Sequence, residues 1–295
     1  MRWEFRERCF EWTEGPVRDV RRRPYTRLMG VLNVTPDSFS DGGAHLGVDQ
    51  AVEAGLSMVA RGASIIDVGG ESTRPGSEAV PEPVELARVR PVIEALRART
   101  DVVISVDTTK AAVARAALAA GADVINDVSA LTLDPQMVEV AVESGCGVIL
   151  MHMRGQPKTM QRGDLSSADI MGEVVQYLHQ RIAHVVARGV SRTAICVDPG
   201  IGFGKTMEQN LRLIAESARL KTLGRPVLLG PSRKSFIGAL TDRPVSCRGA
   251  GTGAACAAAA ARGIHLLRVH DVAEMRDVII VTEAIESVSQ TSGGR

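Results

Sequence analysis

The sequence predicts an α/β fold, a closed (β/α)₈ TIM barrel, and two observations predict it. From Leu28 onward a short apolar run that ends in polar residues and is followed by a helical pattern occurs eight times, at unequal intervals. Alternating strands and helices form a parallel sheet, and eight such units fit a barrel of roughly 250 residues. An open doubly wound sheet is the competing interpretation. It is disfavoured because no GxGxxG follows the first strand and polar residues follow nearly every run.

The eight barrel strands are predicted from apolar, β-branched runs, and a helix is expected after each of them. The predicted strands are Leu28–Leu32, Ser64–Val68, Val102–Val106, Asp123–Ile125, Gly147–Leu150, Ala194–Val197, Pro226–Leu229 and His265–Val269.

The opening of the chain is predicted as a separate element. Its apolar positions, which include Trp3, Phe5 and Trp12, stand in an otherwise charged stretch. This pattern predicts one or two short strands that cover the barrel floor. Residues 1–26 are accordingly assigned to an N-terminal cover and residues 27–290 to the barrel, with basic residues 18–23 as a solvated connector.

Composition excludes several classes of protein. The formal net charge of the 295-residue chain is only +1, which argues against nucleic acid or an anionic membrane as a partner. Aromatic residues make up 3% of the chain and apolar residues 45%, so the core is expected to consist of aliphatic side chains. The five scattered cysteines form no CxxC pair, which favours a reducing, cytoplasmic setting. No apolar segment is long enough to span a bilayer.

The first strand leads into a polar loop, and the stretch LMGVLNVTPDSFSDGG over residues 28–43 contains both. The apolar run changes to polar at Asn33, and the loop carries Asp37 and Asp41 among turn-forming residues. Asn33 offers a carboxamide oxygen of the kind that Mg²⁺ accepts, and Asp41 is a second candidate ligand.

Polar side chains at later strand ends form a second group of candidates. Asp107, Asn126 and Asp198 each directly follow a predicted strand, and the carboxyl ends of barrel strands hold the active site. These acceptors suit a guanine-like or pterin-like ring with adjacent N–H donors. The alternative is that each side chain caps the helix that follows it.

Three residues are expected to complete a ring-binding site. Lys234 in GPSRKSFIG is a candidate donor to the ring, while Met151 and Phe203 are candidates for its apolar walls. Plain core filling is the alternative for Met151 and Phe203.

Arg268 and His270 are expected to form an anion site. They lie two residues apart at the end of the last strand, so both point the same way. A helix is predicted to start immediately afterwards, and its N-terminal N–H groups favour an anion. Together with Asn33, this suggests Mg²⁺ bridging a diphosphate leaving group. Arg74, in the loop GGESTRPGS, is expected to meet either that diphosphate or a carboxylate on a second substrate.

These motifs as a set resemble those of the bacterial dihydropteroate synthases, a pterin-binding TIM-barrel family. The resemblance covers nearly the whole chain from Leu28. The matching motifs are GVLNVTPDSFSDGG, IIDVGGESTRPGS, ISVDT, VINDVS, LMHMRGQPKTMQ, DPGIGFGK, GPSRKSFIG and RVHDV.

The resemblance implies condensation of a dihydropterin-CH₂-diphosphate with 4-aminobenzoate in folate synthesis, with Mg²⁺ and as a target of sulfonamides. It implies Asn33 and Asp41 as metal ligands. The implied pterin-diphosphate residues are Thr73, Asp107, Asn126, Met151, Asp198, Phe203, Lys234, Arg268 and His270. The implied aminobenzoate residues are Phe39, Thr73, Arg74, Pro75, Ser232 and Lys234. Asp41, Arg74, Lys234, Arg268 and His270 are expected to act in catalysis.

Two alternatives share the pterin site, and the resemblance also implies a homodimer. A pterin-dependent methyltransferase has no use for a diphosphate site, so Arg268 and His270 argue against it. A catalytically silent, pterin-binding paralogue would be indicated by missing loop residues, whereas both loops are complete in this sequence.

Overall fold

The computed structural model describes residues 1–13, 24–35, 43–72, 78–155, 159–161 and 165–292, with only the backbone described at 43–46 and 289–292. Two short antiparallel strands come first, β1 (Arg2–Phe5) and β2 (Arg8–Glu11). The barrel strands follow as β3 (Arg27–Asn33), β4 (Ala63–Gly69), β5 (Val103–Asp107), β6 (Val124–Asp127), β7 (Gly147–Met151), β8 (Ile195–Asp198), β9 (Leu228–Leu229) and β10 (Leu266–Val269).

Helices alternate with the barrel strands as the sequence predicts. In chain order they are α1 (Gly43–Ala60), α2 (Glu82–Arg97), α3 (Ala111–Ala119), α4 (Met137–Ser144), α5 (Ile170–Ala187), α6 (Met207–Ala215), α7 (Ser235–Thr241), α8 (Gly249–Ala260) and α9 (Val272–Ser292). Short 3₁₀ helices lie at Arg192–Ala194, Ser217–Leu223 and Val245–Cys247. No helix in the described ranges has the length and apolar character needed to cross a bilayer.

All eight barrel strands pair in parallel, in the order β8-β7-β6-β5-β4-β3-β10-β9. An isolated parallel bridge between Val197 and Val227 joins β8 to the chain just before β9 and brings the two edges together. The predicted (β/α)₈ barrel is therefore confirmed. The strand predicted at Pro226–Leu229 is observed only at Leu228–Leu229. Pro226 has no N–H to donate to a neighbouring strand. Its carbonyl oxygen accepts the Val197 N–H at 2.9 Å.

The barrel core is aliphatic, as the composition predicts. Strands β5 to β8 are buried along their whole length, which is typical of parallel strands covered on both faces. The main apolar cluster fills the space between the sheet and the helices, with Ile66, Val106 and Leu150 among its fully buried members. Helix α8, rich in alanine, buries Cys256 and Ala259 in that layer.

The N-terminal hairpin closes the floor of the barrel. Trp3, Phe5 and Trp12 are buried in a second apolar cluster together with residues at the N-terminal ends of barrel strands, such as Val103 and Leu266. The Trp3 indole Nε1 donates to Ala194 O at 2.7 Å, and the Trp12 indole donates to Tyr25 O at 2.8 Å. The hairpin therefore adds both apolar area and satisfied polar contacts to the floor, as the sequence predicts.

Candidate active site

The polar strand ends meet at the mouth of the barrel, opposite the hairpin. The parallel register pairs Asn33 with Gly69, Gly69 with Asp107, and Asp107 with Asn126. On the other side of the mouth, Met151 pairs with Asp198. Because parallel strands in register end at the same level, these positions form one rim at the carboxyl ends of the strands, where barrel enzymes place their sites.

A partly buried arginine links two buried carboxylates at the centre of this rim. Arg268 Nε donates to Asp67 Oδ2 at 2.6 Å, and Arg268 Nη2 donates to Asp107 Oδ2 at 2.7 Å. The Asn126 amide donates to the same Asp67 oxygen at 3.0 Å. Burial alone would lower the pKa of Arg268, but Asp67 and Asp107 together raise it. The guanidinium is therefore a permanent cation shared by two acids.

Asp107 is a buried acid whose charge is only partly compensated. Burial raises its pKa to about 7, Arg268 opposes that rise, and Asp67 adds to it. The Oδ1 atoms of both Asp107 and Asp67 are buried, and neither has a hydrogen-bond partner among the described residues. Because a buried acceptor without a donor is costly, these two oxygens favour a ligand that brings N–H groups into the mouth.

Asp198 approaches the same mouth from β8. Its Oδ1 accepts the Gly200 N–H at 2.7 Å, and the side chain is 6% exposed. Burial raises the pKa of Asp198 to about 6, while the Gly200 N–H and the cations Lys234, Lys205 and Arg268 lower it. The structure thus brings Asp198 and Arg268 into one site.

The alternative that these polar residues cap helices does not hold. The N-cap residues of α3, α4 and α6 are Lys110, Gln136 and Thr206, so Asp107, Asn126 and Asp198 cap none of them. The neighbouring Asp127 is different, because its carboxylate accepts the N–H groups of Ser129 at 2.7 Å and Leu131 at 3.2 Å. It holds the turn after β6, and its oxygens are already used within the protein.

An apolar wall borders Asp198. Met151 and Phe203 are buried in a small cluster with Val128 and Met160, separate from the two large clusters of the barrel. The Lys234 ammonium lies 4.1 Å from the centre of the Phe203 ring, a cation–π contact. Met151 and Phe203 therefore pack with residues of the mouth and not with the main core.

Ser232 and His270 meet between β9 and β10. Ser232 Oγ lies 2.9 Å from His270 Nδ1 and accepts the His270 backbone N–H at 3.3 Å. Helix α9 begins at Val272, so the predicted helix start after His270 is confirmed. The positive end of that helix lies beside His270, which makes the region suitable for an anion.

Arg233, between Ser232 and Lys234, is bound within the protein. Its guanidinium forms a paired contact with Asp271, with N–O distances of 2.7 to 3.1 Å. This ion pair ties the loop before α7 to the start of α9. It therefore helps to keep the three candidates in this region, Ser232, Lys234 and His270, next to each other.

Five predicted site residues, all on the two loops after β3 and β4, lie outside the described residues: Phe39, Asp41, Thr73, Arg74 and Pro75. Asn33, at the end of β3, is described and half-buried. A Cβ built on the neighbouring Gly69 would lie 3.8 Å from Asn33 Oδ1, at van der Waals distance, so the glycine keeps a methyl group off that oxygen. Within the described ranges no three His, Cys, Asp or Glu side chains cluster as metal ligands.

The donor chemistry at this position suits Mg²⁺. Mg²⁺ commonly keeps several waters and is bound through one or two protein oxygens together with substrate phosphates. A single carboxamide oxygen, from Asn33, fits that pattern. A closed, all-protein site would need more ligands than the described residues supply.

Two functional candidates were missed by the sequence analysis. Asp67 lies inside the predicted strand Ser64–Val68 and has no predicted role, although it accepts hydrogen bonds from both Arg268 and Asn126. An aspartate within the apolar run ASIIDVGG is the available signal. Lys205 was read only as the last letter of DPGIGFGK. It is 3% exposed, and its ammonium donates to three backbone carbonyls.

Comparison with known proteins agrees with this geometry. The model of the family described as "Pterin binding enzyme" matches residues 29–270. A dihydropteroate synthase of Synechocystis sp. is 48% identical over 262 residues, which is 88% of this chain and 90% of that protein.

Two solved structures are similar along nearly their whole length. The Yersinia pestis dihydropteroate synthase in complex with a sulfonamide drug has a TM-score of 0.87 and 42% identity, and the match covers 97% of this chain and all of that one, 100%. The Xanthomonas albilineans dihydropteroate synthase with 4-aminobenzoic acid has a TM-score of 0.82 and 48% identity, over 88% of this chain and 93% of that one.

Proposed function

The chain belongs to the dihydropteroate synthase family of pterin-binding enzymes, and from this we infer that it condenses (7,8-dihydropterin-6-yl)methyl diphosphate with 4-aminobenzoate. The products are 7,8-dihydropteroate and diphosphate, so the chain is a transferase of folate biosynthesis. One observation carries the inference to the level of the site: the buried acids Asp107 and Asp198 share one mouth with Arg268. A methyltransferase or a silent paralogue has no comparable support, because the long matches are to synthases.

Hydrogen-bond acceptors from three strands bind the pterin ring. Asp107 Oδ1 lacks a partner among the described residues, and Asp198 uses only Oδ1 for the Gly200 N–H. The amino and ring N–H groups of a pterin would supply the missing donors. The Asn126 side chain is assigned to the ring at the same level of the rim, and its amide nitrogen donates to Asp67. The ring stacks along the wall formed by Met151 and Phe203, within reach of Lys234.

Arg268 has two tasks in this arrangement. It offsets the negative charges of Asp67 and Asp107 and opposes the rise that burial causes in the pKa of Asp107. A guanidinium has five N–H donors, and the two acids use two of them. We assign the remaining donors, with His270 and the N-terminus of α9, to the departing diphosphate.

The reaction needs charge neutralisation and positioning more than an enzymic base. The bond between the pterin methylene carbon and the diphosphate oxygen breaks, and the electron-rich ring stabilises the cation that remains. The neutral aromatic amine then forms the carbon–nitrogen bond and releases a proton. Arg268 and His270 stabilise the leaving charge, while Lys234 and the apolar wall hold the ring in place.

Mg²⁺ is part of the proposal. Asn33 would hold it through its carboxamide oxygen, with Asp41 as a second ligand, and the ion would neutralise diphosphate charge when bound. Asn33→Ala should raise the Mg²⁺ concentration needed for half-maximal activity, whereas Asn33→Asp should retain or strengthen binding. Equal Mg²⁺ dependence in the wild type and both variants would show that Asn33 does not bind the metal.

The aminobenzoate site is assigned to Phe39, Thr73, Arg74 and Pro75, together with Ser232 and Lys234. The support is the resemblance of the two loops to the family motifs and the position of Ser232 beside His270. Sulfonamides should therefore compete with 4-aminobenzoate and not with the pterin diphosphate.

We also propose a cytoplasmic homodimer. Val281, Ile285 and Val288 lie on one face of α9 and are 59%, 63% and 65% exposed, an apolar stripe that supports a protein contact. The cysteines are all unpaired, which suits a reducing compartment. Sedimentation of the wild type and of Ile285→Glu tests the dimer, since loss of the dimer is expected only in the variant.

The reaction is tested by measuring diphosphate release with each substrate omitted in turn. Release should require pterin diphosphate, 4-aminobenzoate and Mg²⁺ together, and mass spectrometry should detect dihydropteroate. A purified, folded chain that binds the pterin but forms no dihydropteroate under these conditions would contradict the proposed function.

A further inference from the structure

Lys205 is a buried lysine beside the carboxylate assigned to the pterin ring. It lies between the end of β8 and the start of α6, and it is 3% exposed. Its Nζ donates to the carbonyl oxygens of His152 at 3.2 Å, Gly200 at 2.9 Å and Phe203 at 2.9 Å. An ammonium has three N–H donors, so the backbone accepts all of them.

These three carbonyls belong to two different segments. His152 follows β7, whereas Gly200 and Phe203 lie in the turn after β8. The segments approach so closely that a Cβ on Gly200, which has φ +70°, would lie 2.0 Å from His152 O. Without the ammonium, three carbonyl dipoles would converge on a buried space with no donor, an arrangement that buried backbone does not tolerate.

The turn that Lys205 fixes carries the proposed ring contacts. Asp198 is held by the Gly200 N–H at 2.7 Å. Phe203, whose carbonyl accepts from Lys205, has the Lys234 ammonium 4.1 Å above its ring. One buried cation therefore bonds the turn in which Gly200 holds Asp198 and Phe203 contacts Lys234.

We propose that Lys205 is a positioning residue for the pterin site: its ammonium ties the turn after β8 to the end of β7, so that Asp198, Phe203 and Lys234 face the ring together. This inference rests on the proposed function. Lys205 itself does not touch the substrate, and its effect is transmitted through the backbone of the turn.

Charges from every neighbouring element act on the ammonium. Asp198 on β8 and Glu173 on α5 favour it, whereas Arg154 after β7 and Lys234 before α7 oppose it. His152 is neutral, since burial lowers its pKa to about 3. Burial lowers the pKa of Lys205 to about 7, and the three carbonyl oxygens stabilise the charged form.

Removing this cation should raise the pKa of Asp198. Burial already raises that pKa to about 6, and Lys205 is one of three cations that oppose the rise, with Lys234 and Arg268. In Lys205→Met the acid limb of the pH profile of kcat/KM for pterin diphosphate, which reports the ionisation of Asp198, should move to higher pH by about one unit. A purely structural role would not move that limb.

The first experiment compares Lys205→Met with Lys221→Met, a lysine in the 3₁₀ helix at Ser217–Leu223 and away from the mouth. Loss of the charge-assisted bonds should weaken pterin-diphosphate binding about 10- to 100-fold by calorimetry. The KM for 4-aminobenzoate should change less than about threefold. Lys221→Met should match the wild type in both measurements.

The second experiment restores the missing atoms. Lys205→Ala lacks a propylammonium group, so added propylammonium should recover pterin affinity, and 1-propanol, which has no charge, should not. A folded Lys205→Met with wild-type pterin affinity and an unshifted acid limb would overturn the proposal. So would variants that fail to fold even with propylammonium, because Lys205 would then belong to the scaffold. Pterin binding is measured without turnover, so a wild type that releases no diphosphate contradicts the proposed function alone.

Discussion

The floor and the mouth of the barrel are built by the same eight strands, but the two acids of the mouth are less completely hydrogen-bonded than the aromatic side chains of the floor. At the floor, the indole N–H groups of Trp3 and Trp12 both have carbonyl partners, and His265 Nδ1 accepts the Val227 N–H at 3.1 Å. At the mouth, Asp67 and Asp107 each keep a buried oxygen without a partner among the described residues. The floor is therefore organised for stability, and the mouth sacrifices stability to hold acceptors ready for a ligand.

Substitution of Arg268 should have the largest effect, because this residue compensates both acids of the mouth. In Arg268→Met, Asp67 and Asp107 lose their shared cation. Breaking a buried ion pair costs about 3–5 kcal/mol, and kcat/KM should fall by at least about 1000-fold. Urea unfolding and steady-state kinetics at pH 8 check both expectations.

Arg268→Lys is the matched control for that prediction. It keeps the positive charge but cannot reach both acids with a planar fork, so it should show intermediate stability and activity. Stability equal to that of the wild type in Arg268→Met at pH 8 would mean that Arg268 does not compensate the acids of the mouth.

Trp3→Ala should produce a stability effect of similar size without a specific catalytic effect. Trp3 is fully buried and its indole donates to Ala194 O, and truncation of a buried tryptophan costs about 3–5 kcal/mol. Below the temperature at which the variant unfolds, kcat/KM should stay within about twofold of the wild type. Trp3→Phe should lose less stability, and a selective rise in the pterin KM of Trp3→Ala would contradict the separation of floor and mouth.

The pH dependence of stability should reveal the acids of the mouth. Because the folded-state pKa of Asp198 is raised to about 6, above an unfolded value near 3.9, the folded chain binds the proton more tightly. Ionisation of Asp198 therefore destabilises the fold progressively as pH rises from about 4 to 6. Asp198→Asn removes this cost, so at pH 8 it should be more stable than the wild type by on the order of 2 kcal/mol.

The gain in Asp198→Asn should shrink to less than about 1 kcal/mol when unfolding is measured near pH 4, where the wild-type carboxyl is protonated in the folded state and about half ionised in the unfolded state. If the variant were less stable than the wild type by the same amount at pH 8 and at pH 4, the buried carboxylate would not be a cost to the fold.

The floor should show the opposite dependence at His265. Burial, with smaller contributions from Lys221 and the N-terminus, lowers the pKa of His265 to about 3, so the folded state excludes a proton that the unfolded state takes up. Stability is lost as pH falls below about 6.5. Between pH 6.5 and 5 the wild type should lose about 1–2 kcal/mol more than His265→Gln. Parallel pH curves for the two proteins would contradict a buried neutral histidine.

The fold was predictable because barrel strands are continuous apolar runs. Each predicted barrel strand overlaps an observed one, and the aromatic residues of the opening identified the floor hairpin. The rim of polar strand ends was predictable for the same reason, since residues such as Asp107 and Asp198 follow directly on those runs. Local pattern was sufficient wherever one residue's position along a strand decides where its side chain points.

Contacts between distant segments were not predictable in this way. Asp67 lies within an apolar run, and its partners Arg268 and Asn126 are 201 and 59 residues away. Lys205 looks like a solvated lysine in a glycine-rich loop, but the close approach of Gly200 to His152 encloses it. Such pairings depend on how the closed barrel brings strand ends together, which no single stretch of sequence encodes.

The most direct test of the mouth is a calorimetric titration of pterin diphosphate, in the presence of Mg²⁺ at pH 8, into the wild type and Asp198→Asn. If the carboxylate accepts two N–H groups of the ring, the variant should bind about 100- to 1000-fold more weakly while being at least as stable as the wild type. Wild-type affinity in a folded Asp198→Asn would contradict the claim that the buried acids of the mouth bind the pterin.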